Sequence, residues 1–181
     1  QAIRITGELD VNALSRALDA IVTRHEPLRT TFATTPSGQL IQLIHPPVTR
    51  DLPVENFASL DDALARCQQE SQQPYDLVNG PVFEPQLYRI DPRDHVLLLR
   101  MHHIVGDEWS VDVLLRDLGS LYLGEELAPL QFSYADFAAW QRAHFTEDVV
   151  ARELDYWRQQ LGGAPTLLEL PTDRPRPPVF S

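Results

Sequence analysis

Residues 95–122 read HVLLLRMHHIVGDEWSVDVLLRDLGSLY. A continuous apolar run comes first, then a polar loop, and then a stretch in which apolar residues recur at helical spacing. The apolar run His95–Met101 predicts a central strand. In the stretch Trp109–Tyr122 the apolar residues recur at helical spacing, which predicts a helix. The segment between them, His102–Glu108, is expected to be a loop at a strand end, where rigid scaffolds display reactive side chains.

The rest of the chain predicts further strands and helices. Pro27 is expected to end an early helix, and the turn at Pro36-Ser37-Gly38 separates two strand-like runs, which predicts a β-hairpin. The order of elements favours an α+β fold in which helices pack on a largely antiparallel sheet. Strands are expected at about 1–8, 28–33, 39–45, 54–57 and 82–90, and helices at about 11–25, 59–73, 134–145 and 148–161.

Composition and charge exclude several classes of function. The 181 residues are 43% hydrophobic and 23% charged, which is typical of one globular domain. The net charge of −11 argues against a nucleic-acid partner, which needs a basic face. No apolar run is long enough to cross a bilayer, so no membrane partner is expected. The single cysteine, Cys67, excludes a disulfide framework, fits a reducing cytoplasm, and is expected to be a small buried filler within a helix.

Two adjacent histidines make the loop chemically interesting. On an extended segment, His102 and His103 point to opposite faces, so one can face a cavity while the other is buried and hydrogen-bonded. Histidine suits general-base chemistry near neutral pH. Asp107 can fix the loop through an ionic partner, and Ser110 can donate a hydrogen bond near the helix start. A metal site is not favoured, because zinc-binding histidines usually have helical or hairpin spacing.

Three motifs give the chain a specific family resemblance. Residues 102–110 carry His-His-x-x-x-Asp-x-x-Ser, residues 24–32 read RHEPLRTTF, and residues 134–140 read YADFAAW. Shorter agreements occur at residues 7–10 and 75–81. In order and spacing, these motifs resemble those of the condensation domains of nonribosomal peptide synthetases, and the resemblance covers nearly the whole chain.

The resemblance implies a fold like that of chloramphenicol acetyltransferase, in which two similar lobes form a V around a tunnel with the histidine motif at its floor. The fold class is therefore expected to be α+β, with a mostly antiparallel mixed sheet covered by helices. Residues 1–170 are expected to be the N-terminal lobe, and residues 171–181 a proline-rich segment leading to a missing C-terminal lobe. Alone, this lobe is expected to be a poor catalyst.

The resemblance also implies a reaction and its partners. The amine of an acceptor attacks a donor acyl thioester, so the enzyme would be an acyltransferase that forms amide bonds. Both substrates would arrive on the phosphopantetheine of peptidyl or aminoacyl carrier domains, and no cofactor is expected to bind the chain directly. An adjacent adenylation domain is expected in the parent synthetase, and the location is expected to be cytoplasmic.

By the same resemblance, His103 is the catalytic or substrate-positioning residue, and His102 has a structural role. Asp107 is expected to hold the loop through an arginine ion pair, for which Arg29 is one candidate and an arginine outside this chain is the other. No metal ligand is assigned. The substrate or oxyanion environment would come from four residues of the loop and the first helical turn: Gly106, Glu108, Trp109 and Ser110.

Glu108 departs from the family pattern, which usually has glycine at this position. A glycine permits close backbone approach or unusual dihedral angles. Glutamate instead adds bulk and negative charge near the expected tunnel, which could alter acceptor choice or weaken the activity.

Other polar and aromatic residues are interpreted as structural. Residues 24–26 are expected to be a surface charge run at a helix end. Arg29 is placed within a strand, where its charge needs a partner, and is expected to support the active-site loop. Trp109 is expected in the core or at the tunnel floor, the aromatics of residues 134–140 are expected to pack, and His144 is expected to be solvated.

Three alternatives remain open. An epimerization domain shares the fold and the histidine motif but inverts an α-carbon, although the motifs at residues 24–32 and 134–140 favour condensation. An ester-forming relative, or another acyltransferase of the same superfamily, is a second alternative. The third is a non-catalytic platform that recruits partner enzymes, although such degenerate members commonly lose the second histidine, which is retained here as His103.

Overall fold

The computed structural model describes most of the chain: residues 1–165, Pro171, Asp173 and Arg174. The chain forms two compact units, Gln1–Tyr134 and Ala135–Ser181. Apart from those last three residues, the proline-rich segment predicted at 171–181 lies outside the described residues. The predicted lobe boundary at residue 170 therefore stays a prediction.

The first unit consists of a four-stranded sheet, a two-stranded hairpin and three α-helices. Its strands in chain order are β1 (Ala2–Thr6), β2 (Thr30–Thr34), β3 (Leu40–Ile44), β4 (Val54–Asn56), β5 (Phe83–Asp91) and β6 (Asp94–Met101). Its helices are α1 (Val11–Arg24), α2 (Leu60–Ser71) and α3 (Glu108–Tyr122). The strands and helices expected from the sequence are confirmed, with slightly different ends.

The larger sheet has the strand order β1-β6-β5-β4. Strand β6 lies between β1 and β5 and pairs antiparallel with both, while β4 pairs with β5 in parallel. The apolar run that predicts a central strand is therefore β6, and its residues 95–100 are all buried. The smaller sheet is the predicted hairpin, in which β2 and β3 pair antiparallel. A mostly antiparallel mixed sheet is thus confirmed.

Alternate side chains of β6 contribute to cores on opposite faces of the sheet. On one face, Leu97 lies in a cluster with Ile21 of α1 and Leu118 of α3. On the other face, Leu98 lies with Cys67 of α2, so the cysteine is the buried filler that the sequence predicts. Full burial of a leucine or isoleucine side chain is worth about 1.5–3 kcal/mol, so these clusters hold the helices on the sheet.

The helix starts follow local capping chemistry. The Asp10 side chain accepts a hydrogen bond from the amide of Ala13 at 2.9 Å and caps α1. The Ser59 hydroxyl accepts one from the amide of Asp62 at 3.2 Å and caps α2. Both caps satisfy amides that have no acceptor within the first helical turn, which is why short sequence patterns located these helices.

A short 3-10 helix, Glu26–Arg29, connects α1 to β2. Pro27 lies in its first turn, where the fixed φ of proline is tolerated and its missing N–H costs nothing. Arg29 is therefore the last residue of this helix and not part of a strand, so the strand placement of Arg29 was wrong.

The second unit contains α4 (Tyr134–His144), which begins at the boundary, and α5 (Glu147–Leu161). Within α4, Trp140 stacks on His144 with ring centroids 5.0 Å apart and also contacts Phe137. His144 is exposed, as expected. Among the residues that the structure describes, no helix is both long enough and apolar enough to cross a membrane.

Candidate active site

The loop between β6 and α3 forms a tight turn, not the extended segment on which the opposite orientation of the two histidines was argued. The amide of Val105 donates to the carbonyl of His102 at 3.1 Å, which closes a turn over residues 102–105. The amide of His102 donates to the carbonyl of Val82 at 3.0 Å and ties the loop to the chain just before β5. The two histidines nevertheless differ in environment, because His102 is half-buried and His103 is exposed.

His102 is half-buried and engaged by its own loop. Its Nδ1 accepts a hydrogen bond from the amide of Ile104 at 3.0 Å. A ring nitrogen that accepts an N–H bond carries no proton, so the neutral ring keeps its proton on Nε2. The ring also meets Tyr75 edge to face, with centroids 5.3 Å apart. These contacts support the structural role predicted for His102.

His103 is exposed and lines a cavity of about 360 Å³. The cavity wall also includes apolar side chains from the 3-10 helix, β2 and α3, among them Leu28, Phe32 and Val113. Apolar walls with a few polar groups are typical of small-molecule sites. The turn therefore presents one imidazole to a largely apolar cavity at the end of the central strand.

Asp107 caps the helix that follows the loop. Its Oδ1 accepts a hydrogen bond from the Ser110 hydroxyl at 2.7 Å and another from the Ser110 amide at 2.9 Å. These bonds hold the pKa of the Asp107 carboxyl below its usual value, with a smaller contribution from His103. Ser110 thus donates near the helix start, as the sequence predicts, and it does so to Asp107.

Arg29 does not pair with Asp107. Its Nε donates to the carbonyl of Val22 at 3.2 Å, its Nη1 donates to the carbonyl of His45, and the Glu26 carboxylate lies 3.7 Å from its Nη2. Within residues 1–165, no ion pair joins Arg29 to Asp107, so that candidate pairing is corrected. The cause is position, because the Arg29 side chain reaches back to the last turn of α1, where a cation can satisfy the last helical carbonyls.

The sequence reasoning missed a buried carboxylate beside the cavity. Asp117 is only 5% exposed, and its Oδ2 lies 3.2 Å from Arg24 Nε and 3.1 Å from His25 Nε2. Arg116 Nη2 lies 3.1 Å from the other oxygen. His25 also lines the His103 cavity. Residues 24 and 25 are therefore not a free surface charge run: they fasten the end of α1 to α3.

A signal for Asp117 was present in the sequence. Asp117 lies three residues after Leu114 and immediately before Leu118, on the apolar face of the predicted helix. A carboxylate on a buried face needs charged or hydrogen-bonding partners. Burial by itself raises the pKa of Asp117, but the hydrogen bonds from Arg116 and His25 outweigh it, so the pKa lies below its usual value.

Gly106 occupies a position where a side chain would have to displace the end of the Met101 side chain. A Cβ added there would lie 2.7 Å from Met101 Cε, 3.0 Å from Met101 Sδ and 3.2 Å from Ser110 Cβ. Both Gly106 and Met101 line the His103 cavity. The glycine therefore lets the end of β6 and the start of α3 approach closely beside the cavity.

Trp109 and Glu108 lie in the first turn of α3. Of the two places expected for Trp109, the structure excludes the core, and the expected effect of Glu108 near the tunnel stays a prediction. Trp109 is 77% exposed, so its placement in the core was wrong, although it does line the cavity. Glu108 is exposed and is not among the residues that line the cavity. Among the described residues no non-glycine residue has a positive φ, so the backbone at position 108 does not require glycine.

No metal-binding arrangement is apparent in the described part of the chain, where no three His, Cys, Asp or Glu side chains are placed to hold an ion. Instead, His102 bonds to the Ile104 amide, Asp107 bonds to Ser110, and His103 is exposed. The arrangement therefore offers one solvent-exposed imidazole, that of His103, on a loop that hydrogen bonds hold in place.

The fold belongs to the chloramphenicol acetyltransferase-like class. The starter condensation domain of rhizomide synthetase has a similar fold, with a TM-score of 0.79 over 92% of this chain, at 22% sequence identity. The X-domain from teicoplanin biosynthesis, in its complex with OxyB, has a TM-score of 0.83 and is 33% identical. The match covers 97% of this chain and 40% of the X-domain chain.

The chain belongs to the condensation domain family, whose profile matches residues 1–181. It is 43% and 45% identical to two proteins of the linear gramicidin synthase of Brevibacillus parabrevis. Each match covers 99% of this chain, but only 4% and 2% of the respective synthase proteins. The chain thus corresponds to a small part of these relatives.

Proposed function

We propose that this chain is part of an acyltransferase that joins a donor acyl thioester to the amine of an acceptor in nonribosomal peptide synthesis. The observation that carries the proposal is the exposed His103 imidazole, which faces a largely apolar cavity while His102 and Asp107 hold the loop on either side. Family membership over the whole chain supports the same reaction.

In the proposed reaction, the acceptor nitrogen attacks the thioester carbonyl carbon. A C–N bond forms, the C–S bond breaks, and the thiolate leaves. His103 orients the amine or accepts its proton, which is finally transferred to the departing sulfur. No protein nucleophile is needed, because the donor is already activated as a thioester.

The developing oxyanion needs hydrogen-bond donors. The amide and hydroxyl of Ser110 already donate to Asp107, which makes Ser110 a poor candidate for this role. The amides of Glu108 and Trp109 lie in the same first turn of α3, where helical amides have no intrahelical acceptor. We assign these two amides, with Gly106, to the proposed substrate environment.

The partners follow from the proposed reaction. Donor and acceptor would be carried on the phosphopantetheine of peptidyl or aminoacyl carrier domains, next to an adenylation domain in a cytoplasmic synthetase. A second lobe would complete the substrate tunnel, and the lobe described here would be inactive without it. The acidic net charge of −11 supports partners other than nucleic acid.

The test uses the parent protein with donor and acceptor loaded on carrier domains, and mass spectrometry to follow the amide product. His103→Ala is expected to slow product formation by about 100- to 10,000-fold, the usual contribution of a positioned acid or base. His144→Ala, which removes an exposed histidine of the second unit, serves as the matched control. Equal rates for the native protein and His103→Ala would remove His103 from the mechanism.

A second candidate function is a binding platform for a partner enzyme. It is favoured by the similarity to the teicoplanin X-domain, which was solved in a complex with OxyB. Partner binding by the parent protein without any amide product would support the platform. Exchange of the α-hydrogen of a single carrier-bound residue with solvent deuterium would instead support epimerization.

A further inference from the structure

Arg100 is a charged residue inside the apolar run of β6, and it is only 9% exposed. Its guanidinium is fastened on one side by the Glu84 carboxylate of β5. On the other side its Nη2 donates to the carbonyl of Gln73 at 2.7 Å and to that of Pro74 at 3.4 Å. Arg100 therefore links the sheet to the chain that follows α2.

The same guanidinium lies over the ring of Tyr75, with its Cζ 4.3 Å from the ring centroid. This is a cation–π distance, and such contacts strengthen where water is excluded. Burial raises the pKa of the Tyr75 phenol, so the ring stays neutral. Arg100 thereby fixes the position of an aromatic ring that lies 27 residues earlier than His102 in the sequence.

The Tyr75 ring meets the His102 ring at an interplanar angle of 86°, with centroids 5.3 Å apart. Edge-to-face contact of this kind favours one ring orientation over others. Orientation matters at His102, because its Nδ1 must point at the Ile104 amide to accept the hydrogen bond that shapes the turn. His103 lies between these two hydrogen-bonded residues and is carried by the same turn.

We propose that Tyr75 and Arg100 are positioning residues, which hold the His102 ring and through it the turn that presents His103. Glu84 and the carbonyls of residues 73 and 74 anchor Arg100, Arg100 anchors Tyr75, and Tyr75 orients His102. The effect on catalysis rests on the proposed function, whereas the effect on His102 does not.

The test compares Tyr75→Ala, Tyr75→Phe and Arg100→Met in the parent protein. Tyr75→Phe retains the ring that both contacts use and should rescue the loss caused by Tyr75→Ala. Arg93→Met, which removes an exposed arginine at the turn between β5 and β6, is the matched control for Arg100→Met. Because Arg100 is buried and its loss could unfold the protein, the Tyr75 pair decides the outcome.

Two readouts are needed. The first is the rate at which diethyl pyrocarbonate modifies His102, measured by peptide mass spectrometry; this rate depends on the access to its ring nitrogens and not on turnover. The second is amide formation from carrier-bound substrates, analysed as kcat and KM separately. Loss of positioning should lower kcat and leave KM unchanged, whereas general damage to the cavity would change both.

For Tyr75→Ala we expect faster modification of His102 and a fall in kcat of about 100-fold, the size that a displacement near 1 Å can produce. Tyr75→Phe is expected to match the native protein in both readouts. Native modification of His102 and native kcat in Tyr75→Ala would overturn the proposal, and so would a loss that Tyr75→Phe fails to restore. If the native parent protein forms no amide, the proposed function fails, while the modification of His102 still decides this inference.

Discussion

One carboxylate oxygen, Asp107 Oδ1, accepts hydrogen bonds from both the hydroxyl and the amide of Ser110, at 2.7 Å and 2.9 Å. The pair closes the first turn of α3 directly after the histidine loop. The Asp107 side chain therefore supports the loop through the helix it caps, and none of the arginines within residues 1–165 forms an ion pair with it.

The first prediction separates the cap from the charge at position 107. Asparagine caps helices about as well as aspartate, and alanine does so poorly. Asp107→Asn keeps the cap but loses the charge whose pKa the fold lowers, so it is expected to lower the urea midpoint only slightly, whereas Asp107→Ala lowers it clearly. Asp107→Ala is also expected to slow amide formation by up to about 100-fold, because the loop loses its support. Equal damage by asparagine and alanine would show that the charge matters and not the cap.

The second prediction concerns acid stability. Asp117 has a pKa below its ordinary value of 3.8 in the folded protein. Its carboxylate therefore stabilises the fold fully above that ordinary pKa, and this contribution is lost as the pH falls through the lower pKa of the folded state. Asp117→Asn is expected to reduce the free energy of unfolding at pH 7 by about 1–3 kcal/mol, as for hydrogen bonds to a charged group, and to flatten the loss of stability below pH 3.8.

Denaturant unfolding of the native protein and of Asp117→Asn, from neutral pH into the acid range, measures how the two free energies of unfolding differ with pH. Asp112→Asn is the matched control, because Asp112 is an exposed carboxylate on the same helix. An unchanged acid profile in Asp117→Asn would contradict the argument.

The third prediction concerns the close approach at Gly106. Gly106→Ala places a methyl group against the end of the Met101 side chain, which must rotate. Because Met101 Cε is the free end of a flexible side chain, the expected cost is at the low end for overpacked sites, about 1 kcal/mol of unfolding free energy. Because both residues line the cavity, KM for the carrier-bound substrates is expected to rise.

A double-mutant cycle checks the cause. Gly106→Ala should cost less in a Met101→Ala background, where the colliding atoms are absent. The same cost in both backgrounds would place the strain elsewhere, for example against Ser110.

The fourth prediction concerns Glu108, the departure from the family pattern. Glu108 lies in the first turn of α3, where a negative charge interacts favourably with the helix dipole. Glu108→Gly is expected to lower the free energy of unfolding by less than about 1 kcal/mol, with Glu108→Gln in between. Thermal unfolding of the three proteins measures the order, and a more stable glycine variant would contradict it.

The sequence alone located the helices, the strands, the hairpin and the histidine loop. These features depend on contacts between near neighbours, such as the Asp10 and Ser59 caps and the spacing of apolar residues along α3. The motifs at residues 24–32, 102–110 and 134–140 identified the family for the same reason, because each is contiguous in the chain.

Only the tertiary structure decided which groups meet across the fold. His25 and Asp117 are 92 residues apart, and Arg100 lies 27 residues from the Gln73 carbonyl. Periodicity shows that a residue lies on a buried face, but not which charge or ring lies opposite. The partners of Asp117 and Tyr75 therefore depended on how the helices pack on each other and on the sheet, whereas the elements themselves followed from local backbone and capping chemistry.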